Sequence, residues 1–247
     1  MSFKERDESK ELLNSQELRS STLNWMIESS KAKYTYTKDW MGLPIIQRAD
    51  DIIQLQEIIW DTKPDIIIET GIARAGSISF SASMLALLDT AEGKSFKNTK
   101  RRVIGIDLDI RKHAKDGIKR HPFSEIIYYI EGSSTDKLVL ETVKNFIPVN
   151  SRVMVVLDSN HTHNHVLAEI EFYAPLVSVG NYCVVFDTII EDVPAELFPN
   201  RPWGPGNNPK TAVWEYLKTH PEFEIDKNIQ NKLLITVAPD GYLKRIS

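Results

Sequence analysis

Five short apolar runs, each followed by a helical stretch, constrain the fold of this 247-residue chain more than any other feature. They are Ile66 to Glu69, Val103 to Leu108, Ile126 to Glu131, Val153 to Asp158 and Tyr182 to Asp187. Runs that are apolar throughout, rather than alternating with polar residues, belong to strands covered on both faces of a parallel sheet. Helical patterning fills the gaps at Ser77 to Leu88, Asp109 to Lys119, Asp136 to Asn145 and Asn164 to Leu176. The alternation predicts a doubly wound, Rossmann-like α/β domain. The tail breaks the pattern. Phe223 to Ile225 and Leu233 to Val237, joined by a polar connection, are expected to close the sheet as an antiparallel pair, giving seven strands.

Ahead of the sheet, Asp7 to Lys31 reads as a polar helix, peripheral and a candidate oligomer contact. An aromatic loop, Tyr34 to Trp40, leads to a helix over Asp50 to Trp60 that Lys63-Pro64 stops. Residues 1–39 are therefore read as a helical extension and 40–247 as the main domain. Thirty basic against thirty-four acidic residues, with no basic block, argue against a nucleic-acid partner. The apolar runs are far shorter than the roughly 20 residues of a membrane helix. With a charged N-terminus and a single cysteine, Cys183, a cytoplasmic protein is expected.

The first strand ends Glu69-Thr70-Gly71-Ile72-Ala73-Arg74-Ala75-Gly76-Ser77. Glycines at a strand-to-helix turn permit positive φ and close approach of a ligand, and the next helix offers free N–H groups to a phosphate or carboxylate. Glycine spacing alone leaves a ligand-free tight turn equally good. Context favours a ligand, because the second strand ends in Asp107, suited to a ribose hydroxyl pair. Asp107 lies 36 residues beyond Gly71 rather than the usual ~20, with Ala91 to Arg101 as the insertion. Asp109 competes for the role, and Ser133, after Glu131-Gly132, could flank an adenine.

Asp158 and Asp187 end the fourth and fifth strands, and adjacent parallel strands would bring them about 5 Å apart in the ligand crevice. Two such carboxylates repel unless a proton or a hard cation such as Mg²⁺ joins them, the bland alternative being two strand-end caps. His161, three residues after Asp158, is a candidate general base, since imidazole can take a proton from a hydroxyl near neutral pH. His163 and His165 extend it to His-x-His-x-His, an incomplete transition-metal pattern. Arg201 to Pro209 forms a loop rich in Gly and Pro, a candidate lid, with Asn208 as N-cap and Pro209 at N1 of a helix over Lys210 to Thr219.

Lys63 to Gly71, Ala73 to Ser77, Val103 to Asp107, Leu157 to His161, Gly204-Pro205-Gly206 and Ala238 to Arg245 together resemble the cephalosporin hydroxylase family, whose members look like S-adenosylmethionine-dependent O-methyltransferases. The resemblance covers nearly everything from Trp40 to the end and implies the class I methyltransferase sheet. It also implies a Mg²⁺ or Mn²⁺ site at Asp158 and an acidic pair ending the fifth strand, with a histidine base at His161. Here that pair reads Phe186-Asp187, so one carboxylate is missing, with Glu191, Asp192 or Thr188 as substitutes.

The reading is an O-methyltransferase binding S-adenosylmethionine through Glu69, Gly71, Arg74, Gly76, Ser77, Asp107, Ser133 and Asp158, with Asp158 and Asp187 as metal ligands and His161 as base. A small-molecule hydroxyl acceptor, such as a sugar or natural product, and a homo-oligomeric assembly are expected. The rivals are a non-catalytic cofactor-binding protein with a decayed metal site and an iron-dependent hydroxylase using His161 and His163, the latter at odds with the βαβ order.

Overall fold

Side chains alternate along a strand, so an all-apolar strand feeds two cores at once. The computed structural model describes residues 15–247. A helix, α1 (Gln16–Lys31), precedes a small ribbon of β1 (Asp39–Trp40) and β2 (Leu43–Pro44), then α2 (Ala49–Thr62). There follow β3 (Ile66–Thr70), α3 (Gly76–Ala91), β4 (Arg102–Asp107), α4 (Lys112–Arg120), β5 (Ile127–Glu131), α5 (Lys137–Asn145), β6 (Val153–Leu157), α6 (His163–Tyr173) and β7 (Tyr182–Val185). The chain ends with α7 (Pro209–Tyr216), β8 (Phe223–Ile225), α8 (Lys227–Lys232) and β9 (Tyr242–Arg245).

The sheet order is β5-β4-β3-β6-β7-β9-β8, parallel through β7 and antiparallel beyond it. Ile67, Met154, Val156, Val184 and Phe186 join the core under α2 and α3. Their neighbours Ile66, Ile68, Val153, Val155, Leu157, Cys183 and Val185 join the core under α5, α6 and α7. Each such aliphatic side chain, fully buried, contributes about 1.5–3 kcal/mol. The expected helix cap forms: Asn208 accepts from Lys210 N and Thr211 N in a capping box, with Pro209 at N1.

The expected strand at Leu233 to Val237 does not form. The strand between β7 and β8 is instead β9, and α8 replaces the polar connection. Asp51 of α2 explains this. Its buried carboxylate accepts from Thr236 Oγ1 (2.5 Å), Val237 N (2.9 Å) and Tyr242 Oη (2.8 Å), drawing the segment off the sheet edge. Burial raises the Asp51 pKa to about 6 against these three donors. Asp240, with φ +65°, then turns the chain into β9.

Of the helix read over Asp7 to Lys31, residues 7–14 lie outside the described residues, and the rest forms α1 with Ser15 as N-cap. Among the described residues no helix is long and apolar enough to cross a membrane.

Candidate active site

The sheet order reverses between β3 and β6, which opens the crevice where α/β sheets hold ligands. Both the glycine turn and Asp158 lie there. The turn is wound tightly, with positive φ at Gly71 (+91°), Ala73 (+46°) and Ala75 (+70°). Asp107 braces it, its Oδ2 accepting from Ile72 N (2.8 Å) and Ala73 N (3.0 Å) while Oδ1 accepts from Asp109 N (3.2 Å). The N–H groups in the first turn of α3, at Gly76 and Ser77, have no partner within the helix and directly follow the glycine turn.

The two glycines are required by the chain itself rather than by ligand approach. A Cβ on Gly71 would overlap the carbonyl oxygen of Asp158, and one on Gly76 would overlap the carbonyl oxygen of Pro44 and lie 2.6 Å from Ile45 Cα. Gly76→Ala should therefore cost about 1–3 kcal/mol in urea unfolding, the usual penalty for overpacking against backbone.

Glu69 is 3% exposed and turned beneath the turn, where Ser81 and Ser77 donate to its carboxylate. Burial outweighs these hydroxyls and raises its pKa to about 7 from 4.5. A carboxyl whose pKa is raised by folding destabilises the fold increasingly as pH rises from its unfolded pKa to its folded one. The burden is complete above about pH 7, at about 3 kcal/mol. Glu69→Gln should accordingly melt higher than the parent at pH 8, with the gap closing toward pH 4.5.

Arg74 is exposed at the tip of the turn. Ser133, after β5, shares a hydrogen bond with Thr135 Oγ1 (3.0 Å). Its neighbour Ser134 meets His165 Nε2 (3.2 Å), which also lies 3.3 Å from Ser159 Oγ and 3.5 Å from the buried Glu169 carboxylate. Asp109, the rival to Asp107, is exposed beyond the end of β4.

Asp158 and Asp187 converge, but not by strand geometry. Leu157 pairs with Val185, so Asp158 stands beside Phe186 and continues the face of Met154 and Val156. Alternation alone would send Asp187 to the opposite face. A left-handed backbone at Asp187, φ +57°, redirects it. Aspartate tolerates that conformation. Oxygens of Asp158 and Asp187 and a ring nitrogen of His161 then lie within 4.8 Å of one another, with His161 Nε2 3.3 Å from Asp187 Oδ2. Enclosure by protein, then the charges of Asp187, Glu69 and Glu169, raise the Asp158 pKa well above the usual carboxylate range, and a hydrogen bond from Gln47 opposes them. Two carboxylates and an imidazole that meet where the Asp158 anion is disfavoured fit a hard divalent cation.

Phe186 is 2% exposed and packs into the core, so the position of the absent carboxylate is filled with apolar side chain. The proposed substitutes are otherwise engaged. Glu191 accepts from Gly206 N (2.7 Å) and Asn208 Nδ2, Asp192 holds Lys210 Nζ (2.6 Å), and Thr188 Oγ1 donates to Pro239 O (2.6 Å). These bonds also hold the loop expected as a lid in its present place. The 201–209 loop is pinned, with Asn207 Oδ1 accepting from His163 N (2.9 Å), and it forms a wall. Trp203 from this loop stands edge-on to His161, centroids 4.8 Å apart.

The three histidines diverge. His163 bonds Thr211 Oγ1 (2.8 Å) and lies 3.2 Å from Glu215, His165 turns to Ser134 and Glu169, and only His161 faces the carboxylates. Two contributors escaped the sequence reading, Gln47 and Arg48. No spacing rule marks them, since they sit in a short connection ahead of α2.

Residues 32–246 match the family model described as rhamnosyl O-methyltransferase/CmcI. A rhamnosyl O-methyltransferase of Mycobacterium tuberculosis is 32% identical over 210 residues, covering 83% of this chain and 77% of that protein. Its counterpart in Mycobacterium leprae is 30% identical over 213 residues, covering 85% and 83%. Among solved structures, CmcI with Mg and SAM has a TM-score of 0.57 at 17% identity, covering 86% of this chain and 78% of that one. An O-methyltransferase from Bacillus cereus in complex with SAH has a TM-score of 0.55 at 18% identity, covering 92% and 91%. The fold is thus that of the class I methyltransferases. The chain belongs to the rhamnosyl O-methyltransferase/CmcI family and is an O-methyltransferase.

Proposed function

We propose that this enzyme, with residues 40–247 as its catalytic unit, methylates a hydroxyl of a sugar or glycosylated natural product, using S-adenosylmethionine and a divalent cation held by Asp158 and Asp187. The observation that carries the reading is the meeting of Asp158, His161 and Asp187 in the crevice beside the glycine turn. The rhamnosyl O-methyltransferases among its relatives support a deoxysugar acceptor.

The cation, when bound, would gather the acceptor oxygen and make its hydroxyl more acidic. S-adenosylmethionine, when bound, would supply the methyl group and leave as the neutral sulfide with the electron pair of the broken bond, and His161 Nε2 would take the hydroxyl proton. Asp187, 3.3 Å away, pairs with the imidazolium that results. The first-turn N–H groups of α3 and Ser77 hold the cofactor's carboxylate, Arg74 flanks that end, and Glu69 supports the turn from below. Asp107, which already accepts three backbone N–H groups, keeps one lone pair on Oδ1 for a ribose hydroxyl, and Ser133 stands on the adenine side. Trp203 and its pinned loop wall the site against water. A homo-oligomer with α1 at the contact belongs to the same reading, supported by Trp25, which α1 leaves 44% exposed, and sedimentation would detect it.

Binding of S-adenosylhomocysteine tests the cofactor assignment. A micromolar-scale dissociation constant, at a hundredfold excess of ligand over it, stabilises by about 2.7 kcal/mol and should raise the melting temperature by about 5 °C or more. Binding of NAD with no binding of either S-adenosyl compound would defeat it.

A further inference from the structure

We infer that His165 is a positioning residue that couples cofactor occupancy beside Ser133 to cation occupancy at Asp158. The inference rests on the cofactor and cation sites proposed above. His165, Glu169 and Tyr173, spaced four apart, form one ridge of α6, and this ridge reaches two loops at once. On the loop after β5, Ser134 is 5% exposed, with its Oγ 3.2 Å from His165 Nε2 and its carbonyl oxygen accepting from Tyr173 Oη (2.8 Å). On the loop after β6, Ser159 Oγ donates to Glu169 Oε1 (2.6 Å) and lies 3.3 Å from the same His165 Nε2. The Ser159 hydrogen is thus committed to Glu169, and a carboxylate has none to give. Nε2 of His165 therefore carries the hydrogen that the two serine oxygens and Glu169 Oε1, 3.5 Å away, share.

Glu169 is a costly way to build a helix. Its side chain is 1% exposed, its Oε2 has no hydrogen-bond partner, and among the described residues no Lys or Arg pairs with it. What it holds is the peptide of a metal ligand. A Cβ on Gly71 would overlap the Asp158 carbonyl oxygen and lie 3.1 Å from Ser159 Cα, so the Asp158–Ser159 peptide rests on the cofactor turn. A shift of Ser159 therefore moves Asp158. Through one imidazole nitrogen, Ser134, next to Ser133, and Ser159, next to Asp158, are held in a single arrangement. A ligand that fixes one of these loops thereby favours the bound arrangement of the other.

Mn²⁺ binding to the full chain, titrated by electron paramagnetic resonance with and without saturating S-adenosylhomocysteine, tests this. In the parent, S-adenosylhomocysteine should tighten Mn²⁺ binding about fivefold or more, the lower end of the usual coupling between sites. His165→Leu keeps the bulk and loses the donor, and should bring that factor below about twofold while each ligand still binds alone. His165→Gln returns an amide N–H in place of the lost Nε2–H and should restore the coupling, which a space-filling role would not do. A coupling equal in the two variants, or absent from a parent that binds both ligands, would overturn the inference and leave both sites intact. A parent that binds no Mn²⁺ or no S-adenosylhomocysteine would overturn the proposed sites and the inference together. Should His165→Leu fail to fold, Ser134→Ala, which cuts only the arm to the loop after β5, decides: a lost coupling upholds the inference and a retained one overturns it.

Discussion

His161→Ala should lower turnover by about 10²–10⁴, the usual scale for loss of a general base, while S-adenosylhomocysteine binds as before. The geometry makes the effect specific to this histidine. His161 alone of the His161–His163–His165 run stands against Asp187 and beneath Trp203. His163 is tied to Thr211 and Glu215, so His163→Ala should change turnover less than threefold or so by comparison. Steady-state kinetics of both variants checks this. Equal losses would mean that the run acts as one structural unit.

Chelation with EDTA should suppress turnover, Mg²⁺ or Mn²⁺ should restore it, and Asp158→Asn should cost about 10²–10³, the range for removing a preorganised electrostatic stabiliser. The same Asp158→Asn variant should melt higher than the parent in metal-free buffer, since it removes a carboxylate that burial and the charges of Asp187 and Glu69 disfavour. A lost activity joined to a gained stability separates a functional carboxylate from a structural one. Asp187→Asn should preserve the left-handed backbone at φ +57°, because Asn also tolerates it. It should raise the metal concentration for half-maximal rate about tenfold.

The parallel half of the fold was legible because burial on both faces leaves a direct mark, the uninterrupted apolar run. Each of the five strands appears within about a residue or two of its expected limits. The closing strand was not. Leu233 to Val237 is as apolar as a strand, but Asp51 from a distant helix takes its backbone and hydroxyl donors, a tertiary competition that no local pattern reports. Tyr242 to Arg245, half of it Lys and Arg, carried a weaker apolar signal and took the place.

At the site, residue types were readable and their causes were not. Asp158, Asp187 and His161 meet as their strand-end positions suggested, but through a left-handed turn at Asp187 that period-two alternation would have denied. Gly71 and Gly76 are glycines because Asp158 and Pro44 crowd them. Gln47 left no trace in the sequence, because it meets Asp158 from more than a hundred positions away.

Incubating the protein with methyl-labelled S-adenosylmethionine, Mg²⁺ and a panel of glycosides, then resolving the products by mass spectrometry, tests the central claim most directly. The expected result is a glycoside carrying one labelled methyl ether, formed by the parent, abolished by EDTA and nearly abolished in His161→Ala and Asp158→Asn. Bound cofactor with no label on any hydroxyl acceptor, or an undiminished product in EDTA from Asp158→Asn, would contradict it.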